Sequence, residues 1–131
     1  MRVVIVGGVA GGMSAATRLR RLSEDTEIIV LDKGPYVSFA NCALPYYMSG
    51  EISQRSSLIV ESPDHLKERF NIDVRPNTEV VKINPGRHQV TAVHDGQSET
   101  LDYDRLILSP GSKAIVPDIV GLKEADNVFT W

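Results

Sequence analysis

The chain opens with Val3-Val4-Ile5-Val6-Gly7-Gly8-Val9-Ala10-Gly11-Gly12-Met13-Ser14-Ala15-Ala16, which predicts a strand, a glycine-rich turn and a helix in that order. Four β-branched residues in succession suit a parallel strand that is buried on both faces. Gly7 permits a tight turn after the strand, and Gly12 lets the helix pack close to the sheet. The helix N-terminus offers free N–H groups and a positive dipole end to a pyrophosphate. The stretch therefore predicts a dinucleotide-binding site.

A second apolar strand supports this interpretation. Ile28-Ile29-Val30-Leu31 ends at Asp32, twenty residues after Gly12, where a carboxylate binds the ribose hydroxyls of the same nucleotide. Val9 stands where the G-x-G-x-x-G pattern has glycine, and Gly8 or Gly11 could compensate for it. A glycine-rich loop without a ligand is the alternative, but the order of strand, loop, helix, strand and acid disfavours it. These residues leave open which dinucleotide binds.

Composition narrows the class of protein. The 131 residues are 42% hydrophobic and 24% charged, which is typical of a globular domain with a core. The formal net charge is −3 without a long block of one sign, so neither a nucleic acid nor a membrane surface is indicated as a partner. No signal peptide is expected before the first strand, which favours a cytoplasmic location. The three histidines lack metal-ligand spacing, so no metal site is predicted. The apolar, β-prone end Val128–Trp131 suggests a fragment.

The first helix is predicted from about residue 11 to residue 22. Its basic end holds Arg18, Arg20 and Arg21, which complement the dipole at the helix C-terminus. Arg18 and Arg21 could instead share a face and hold a phosphate, but their spacing alone favours the dipole interpretation. The predicted apolar face consists of Met13, Ala16, Leu19 and Leu22.

The remainder of the chain predicts a short helix, a brief strand, a meander and a last parallel strand. Ser62 caps a helix that ends near Phe70, and residues 72–75 form a strand. The segment 78–103 predicts an antiparallel meander with turns at Asn84-Pro85-Gly86 and Asp95-Gly96. Leu106-Ile107-Leu108 predicts another buried parallel strand, and Ser109-Pro110-Gly111-Ser112 predicts a turn that brings backbone close to a ligand. The fold class is α/β.

Cys42 is the only cysteine of the chain. It follows Ser38 and Asn41, whose side chains suit helix caps, and Pro45 is tolerated in a first helical turn. Cys42 is therefore predicted in the first turn of a helix, where the dipole favours the thiolate. A single cysteine among apolar residues is often inert core, but a position soon after Asp32, at the ligand edge of the sheet, favours a reactive one. A nucleotide-binding module with a structural cysteine remains the alternative.

The chain resembles the N-terminal part of the flavoprotein pyridine nucleotide-disulfide oxidoreductases with a single redox cysteine, the group of the coenzyme A-disulfide reductases and persulfide reductases. Val9 in the glycine loop is usual in that group, whereas Ala43 replaces a usual glycine. The resemblance is carried by Gly7-Gly8-Val9-Ala10-Gly11-Gly12, by Ser38-Phe39-Ala40-Asn41-Cys42-Ala43-Leu44-Pro45-Tyr46-Tyr47 and by Leu106-Ile107-Leu108-Ser109-Pro110-Gly111.

This resemblance implies FAD as the cofactor, Cys42 as the catalytic residue beside the flavin, and coenzyme A as a substrate or mixed-disulfide adduct. Arg69 is the nearest basic residue to a family lysine that otherwise has no counterpart here. The implied cofactor residues are Gly7, Gly8, Val9, Ala10, Gly11, Gly12, Asp32, Lys33, Val80, Val81, Ser109, Pro110 and Gly111. The implied substrate residues are Ser14, Arg18, Arg21, Ser38 and Asn41.

The resemblance also implies an activity and a domain organisation. The activity is NAD(P)H-dependent reduction of coenzyme A disulfide or a related disulfide or persulfide through Cys42. The alternative is an NADH oxidase or peroxidase that uses a cysteine sulfenic acid, although such relatives usually have a different run after the cysteine. Residues 1–131 are expected to be the N-terminal part of a Rossmann-like FAD-binding domain with an inserted β-meander. The NADH-binding and dimerisation domains are expected outside this chain, which alone is expected to be inactive, and the full-length protein is expected to be a homodimer.

Overall fold

The computed structural model describes residues 1–129, and its helices and strands form three layers. A parallel sheet lies between a layer of helices and a three-stranded antiparallel sheet. The elements are β1 (Arg2–Val6), α1 (Ala10–Leu22), β2 (Glu27–Leu31), α2 (Leu44–Met48), α3 (Pro63–Phe70), β3 (Asp73–Arg75), β4 (Thr78–Asn84), β5 (Gln89–His94), β6 (Gln97–Asp102) and β7 (Arg105–Leu108), with short 3-10 turns at Asn41–Ala43 and Arg55–Leu58. The parallel strands have the order β3-β2-β1-β7, and the meander has the order β4-β5-β6.

Both faces of the parallel sheet are buried, which explains the unbroken apolar runs of β1 and β2. Val3 and Ile5 of β1 face the helix layer, where they pack with Met13 and Leu66. Val4 faces the opposite side and packs with Val90 of the meander. The predicted α/β fold with an inserted antiparallel meander is confirmed.

Helix α1 begins one residue before the predicted start and ends at the predicted residue, Leu22. The predicted apolar face is wrong at its last position, because Leu22 is 67% exposed. Arg20 takes its place in the interior with only 9% of its surface exposed. Helical spacing places residues 13, 16 and 20 on one side, so Arg20 continues the buried stripe that Met13 and Ala16 begin.

Arg20 is a structural residue rather than one that merely complements the dipole of α1. Its guanidinium donates only to backbone carbonyls, and no buried side-chain nitrogen or oxygen in the described part of the chain lacks a partner. The acceptors are the carbonyls of Phe70 (2.7 Å), Ser23 (3.2 Å), Thr26 (2.7 Å), Asn71 (2.9 Å) and Glu24. This side chain therefore joins the end of α1 to the end of α3.

The meander is confirmed, and both of its turns fall where composition predicts them. Asp95 and Gly96 both have positive φ, at 48° and 76°, as a two-residue hairpin requires. Arg75 of β3 joins the two sheets, because it donates to Asp73 at 2.8 Å and to Glu99 of β6 at 2.6 Å. These carboxylates, with Asp73 the stronger, raise the pKa of Arg75 above its ordinary value.

Strand β7 is confirmed as parallel, but it forms an edge of the described sheet and is not fully buried. Its pairing with β1 joins Val4 to Leu106 and Val6 to Leu108. Leu108 is 56% exposed because no further described strand pairs beyond β7. The predicted β-prone end reaches Thr130 and Trp131, which lie outside the described residues, and Phe129 is exposed. Among residues 1–129, no helix has the length and apolar character needed to cross a membrane.

Candidate functional site

Three neighbouring parallel strands end at one cavity. Gly7 follows β1, Asp32 follows β2 and Ser109 follows β7, and all three residues line a space of roughly 680 Å³. Ligands of open α/β sheets bind outside the carboxyl ends of the strands, where the chain leaves to opposite sides. The full lining is Val6, Gly7, Val9, Leu31, Asp32, Lys33, Gly34, Asn41, Leu44, Pro45, Thr78, Glu79, Val80, Ser109, Pro110, Gly111 and Ser112.

Two glycines of the first loop are required by close backbone contacts. Gly7 has a φ of +98°, and a Cβ there would lie 2.0 Å from the carbonyl oxygen of Ser109. A Cβ on Gly12 would lie 1.7 Å from the carbonyl oxygen of Gly7. No side chain fits either space, so these glycines let the loop, the helix and the β7 turn meet.

The N-terminus of α1 suits an anion. Val9 occupies the N-cap position, no side chain caps the helix, and the first turn holds no acidic residue. The first amides of a helix have no intrahelical acceptor, and they carry the positive end of its dipole. Val9 also lines the cavity, so this uncapped end adjoins it. The loop therefore fits the pyrophosphate of a dinucleotide.

Asp32 is held in place by the two loops beside it. One carboxylate oxygen accepts from the Gly8 amide at 2.6 Å, and the other accepts from the Gly34 amide at 2.7 Å. Each oxygen keeps a further lone pair, which suits it to accept from a ribose hydroxyl. The carboxylate thus fixes the loop after β1 while it faces the cavity.

Substitution of Asp32 by asparagine is expected to weaken dinucleotide binding about tenfold, because an amide cannot accept from both loop amides and also from ribose. The dissociation constant for FAD, measured by flavin fluorescence on the full-length protein, checks this. Asp25→Asn, at an exposed acid in the turn after α1, is the matched control and should bind like wild type. Equal affinity of the two variants would contradict the role of Asp32.

Cys42 lies beside the cavity rather than on its lining. It is exposed and belongs to the 3-10 turn Asn41–Ala43, which precedes α2. The predicted place in the first turn of the helix is therefore corrected to the turn before it, while Pro45 does lie in the first turn of α2. Asn41, Leu44 and Pro45 line the cavity.

Ser38 and Asn41 cap no helix, contrary to expectation, because neither short helix has a side-chain cap. Ser38 instead adopts a left-handed backbone, with φ at 50°. Its amide donates to the Gly8 carbonyl at 2.7 Å, and its carbonyl accepts from Val60 at 3.0 Å. The cysteine segment is therefore attached directly to the glycine loop.

A second pocket of roughly 360 Å³ lies between α1 and α3, and its lining is Met13, Ser14, Thr17, Arg21, Ser38, Glu61, Leu66 and Phe70. It brings together three of the predicted substrate residues, namely Ser14, Arg21 and Ser38. Arg18 is exposed and lies outside this lining, and Asn41 lines the first cavity instead. Arg69 is also outside it, with its guanidinium 5.3 Å from the ring centre of Phe70.

The remaining predicted cofactor residues support the cavity or lie next to it. Gly8 and Gly12 are buried behind the lining, whereas Ala10 and Gly11 are exposed at the start of α1. Val81 is 57% exposed and outside the lining, and it lies where the register between β4 and β5 shifts, between Val80 and Lys82. The cofactor and substrate roles of these residues stay predictions.

Several lining residues were not predicted from the sequence. Thr78 and Glu79 of β4 line the first cavity directly before the predicted Val80. Glu61 lines the second pocket and is paired with the ring of His65 one turn later. Thr78 and Glu79 could have been predicted, because they begin the strand in which Val80 and Val81 were assigned to the cofactor. No local pattern marks Glu61, because only the packing of α3 brings it to α1.

Taken together, the strand ends, the glycine loop and the uncapped helix define a dinucleotide-binding α/β protein. The family model for pyridine nucleotide-disulphide oxidoreductases matches residues 1–131. The chain belongs to this family. It is 42% identical over 115 residues to a coenzyme A disulfide reductase of Staphylococcus epidermidis, a match that covers 86% of this chain and 26% of that protein.

Solved structures agree with the curated relative. The reduced Bacillus anthracis CoADR-RHD superposes with a TM-score of 0.89 at 50% identity, over 95% of this chain and 23% of that one. A NAD-dependent persulfide reductase from A. fulgidus superposes with a TM-score of 0.89 at 36% identity, over 94% of this chain and 24% of that one. The chain therefore spans about a quarter of the length of these proteins.

Proposed function

We propose that this chain is the N-terminal part of the FAD-binding domain of an NAD(P)H-dependent flavoprotein that reduces coenzyme A disulfide or a related disulfide or persulfide through Cys42. The observation that carries the proposal is the attachment of the cysteine segment to the nucleotide loop. Ser38 donates to Gly8, and Asn41, Leu44 and Pro45 continue into the cavity wall. The names of the similar proteins support the sulfur substrate.

The residues of the first cavity fit FAD. The uncapped amides of α1 would bind the pyrophosphate, and Asp32 and Lys33 would bind the ribose. The turn that follows β7, residues 109–111, would add further contacts. Val80 supplies an apolar wall. Bound there, FAD would supply two-electron transfer between NAD(P)H and sulfur.

Cys42 would perform the exchange step. Its thiolate attacks one sulfur of the substrate disulfide, so the substrate S–S bond breaks and a new S–S bond joins Cys42 to one half. The other half leaves as a thiolate. Electrons from NAD(P)H then reduce the mixed disulfide, which releases the second thiol and restores Cys42. The exposure of Cys42 suits attack on a substrate that arrives from solvent.

The second pocket is proposed as the site of the coenzyme A arm. Arg21 supplies a positive charge, while Ser14, Thr17 and Ser38 supply hydroxyl groups. Ser38 contacts both places, because it lines this pocket and its amide binds Gly8 of the cofactor loop. A substrate held along α1 would therefore end near the cysteine segment.

The proposal predicts substrate preference in the full-length protein loaded with FAD. NADH and NADPH oxidation would be followed with coenzyme A disulfide, a coenzyme A persulfide, glutathione disulfide, hydrogen peroxide and oxygen. We expect kcat/KM for a coenzyme A substrate to exceed the values for glutathione disulfide and peroxide by about a hundredfold, a transition-state difference of about 2.7 kcal/mol. Turnover only on peroxide or oxygen would instead assign the alternative, an oxidase or peroxidase that cycles through a sulfenic acid.

Two further parts of the proposal concern the whole protein. The NADH-binding and dimerisation domains would lie in the remainder of a longer chain, and the functional unit would be a cytoplasmic homodimer. The lengths of the similar proteins support the additional domains. Light scattering of the full-length protein measures the dimer directly.

A further inference from the structure

The second pocket is a cleft between two helices, so its shape depends on how those helices are held together. Helix α1 contributes Thr17 and Arg21 to the lining, and α3 contributes Leu66 and Phe70. Phe70 is the last residue of α3, and only Asn71, in a left-handed conformation, separates it from the buried Ile72. A shift at the end of α3 would therefore move a wall of the pocket.

Arg20 connects the two helices at this point. From α1 its Nε donates to the Phe70 carbonyl at 2.7 Å, and one terminal nitrogen donates to the Asn71 carbonyl at 2.9 Å. The same side chain donates to the carbonyls of Ser23, Glu24 and Thr26 directly after α1. A guanidinium has five N–H donors, and each of the five has a carbonyl acceptor here.

The electrostatics of this arrangement favour arginine. The last carbonyls of a helix carry the negative end of its dipole, and Arg20 places one buried cation against the ends of both α1 and α3. Lysine has three donors on a flexible stem and cannot reproduce a planar fork with five bonds. The bonds therefore fix the orientation of Phe70 relative to α1 in addition to offsetting the buried charge.

We propose that Arg20 is a positioning residue that sets the geometry of the second pocket and thereby the affinity for the substrate arm bound there. It lies outside the lining and acts through Phe70 and through its own helix. The inference rests on the proposed function in that the substrate arm is assigned to this pocket. The assignment predicts an effect on substrate binding that exceeds any effect on the flavin chemistry.

The test compares Arg20→Lys and Arg20→Gln in the full-length protein, with rates normalised to bound FAD. KM for coenzyme A disulfide is expected to rise about tenfold in Arg20→Lys and further in Arg20→Gln, because misplacement of a positioning group weakens binding to this extent. NADH-dependent reduction of ferricyanide, which needs no substrate pocket, should stay within about twofold of wild type. Amide hydrogen exchange over residues 66–72 should accelerate in both variants.

Two further variants separate the possible outcomes. Arg2→Lys alters a partly exposed arginine that pairs with Glu27, and this variant should behave as wild type. Arg21→Ala, in the lining itself, should raise KM whether or not Arg20 has a positioning role.

The combined results decide between the possible outcomes. If KM rises in Arg21→Ala while the Arg20 variants show neither a higher KM nor faster hydrogen exchange, the inference is overturned and the proposed function stays intact. A fall of kcat, ferricyanide reduction and FAD content together in the Arg20 variants would also overturn the inference, since Arg20 would then act on stability alone. Wild-type protein that turns over neither coenzyme A disulfide nor coenzyme A persulfide would refute the proposed function, and the hydrogen-exchange data would then decide the positioning role.

Discussion

Substitution of Gly12 by alanine is expected to prevent the full-length protein from retaining FAD and to lower its melting temperature. The added Cβ would lie 1.7 Å from the Gly7 carbonyl oxygen. Gly12 belongs to α1, and Gly7 is held to β2 because its amide donates to the Leu31 carbonyl at 2.8 Å. The clash can be relieved only if α1 or the glycine loop moves, at a cost of about 3 kcal/mol or more. Such a movement also displaces the amides that face the cavity. Flavin absorbance per protein after purification and thermal unfolding measure the two effects.

Gly86→Ala is the matched control for this experiment, because it makes the same change at a glycine outside the cavity lining. A Cβ on Gly86 would meet only the side-chain oxygen of Asn84, at 3.7 Å, which is an ordinary contact. Gly86 is exposed in the turn between β4 and β5, so alanine there should leave FAD content and melting temperature unchanged. Equal FAD content and equal melting temperature in Gly12→Ala and Gly86→Ala would refute the steric argument.

Replacement of Cys42 by serine is expected to reduce turnover of coenzyme A disulfide by about a thousandfold or more, as the loss of a nucleophile does in other enzymes. A hydroxyl is not ionised at neutral pH and forms no mixed disulfide. Cys42 is exposed and belongs neither to the apolar core between the parallel sheet and the helices nor to the one between the two sheets, so FAD content and melting temperature should not change. The rate of NADH oxidation and the protein mass after incubation with coenzyme A disulfide test this directly.

The mass measurement gives the sharper result. Wild type should gain one coenzyme A adduct that a reductant removes, and Cys42→Ser should gain none on this chain, which has no second cysteine. Met48→Leu, at an exposed position of α2, controls for disturbance of the segment and should retain full activity. Undiminished turnover in Cys42→Ser would mean that the cysteine is structural.

The fold was predictable because its main signals are local. Each local pattern favours one kind of structure, and adjacent patterns are compatible with one fold. The patterns are the apolar runs of β1 and β2, the glycines between them and the turn residues of the meander. The exceptions depend on tertiary contacts. Arg20 is polar in sequence, and only the carbonyl ends of two helices make its burial favourable. The exposure of Leu108 follows from its place at a sheet edge, which no local pattern reports.

The positions of the residues around the first cavity were also predictable in part, for the same reason. Gly7, Asp32 and Ser109 could be predicted to lie at one cavity because the strand ends of a parallel sheet meet at one edge, while their cofactor roles stay predictions. The second pocket could not be placed, because Glu61 and Phe70 reach it through the packing of α3. The left-handed backbone of Ser38 could not be predicted from the sequence either, since serine has no preference for this conformation. That conformation arises from bonds to Gly8 and Val60, which lie on other segments.

The order of strands in the parallel sheet has a consequence for the biogenesis of the protein. Strand β1 is synthesised first, yet its partner β7 is the last strand of the described chain, and Val3 pairs with Arg105. Pairing over such a sequence separation is slow because a long loop must close first. The glycine loop after β1 would thus be synthesised about a hundred residues before the turn at Ser109 that supplies the third wall of the cavity. Flavin uptake by nascent chains of increasing length would therefore report when this long-range closure occurs.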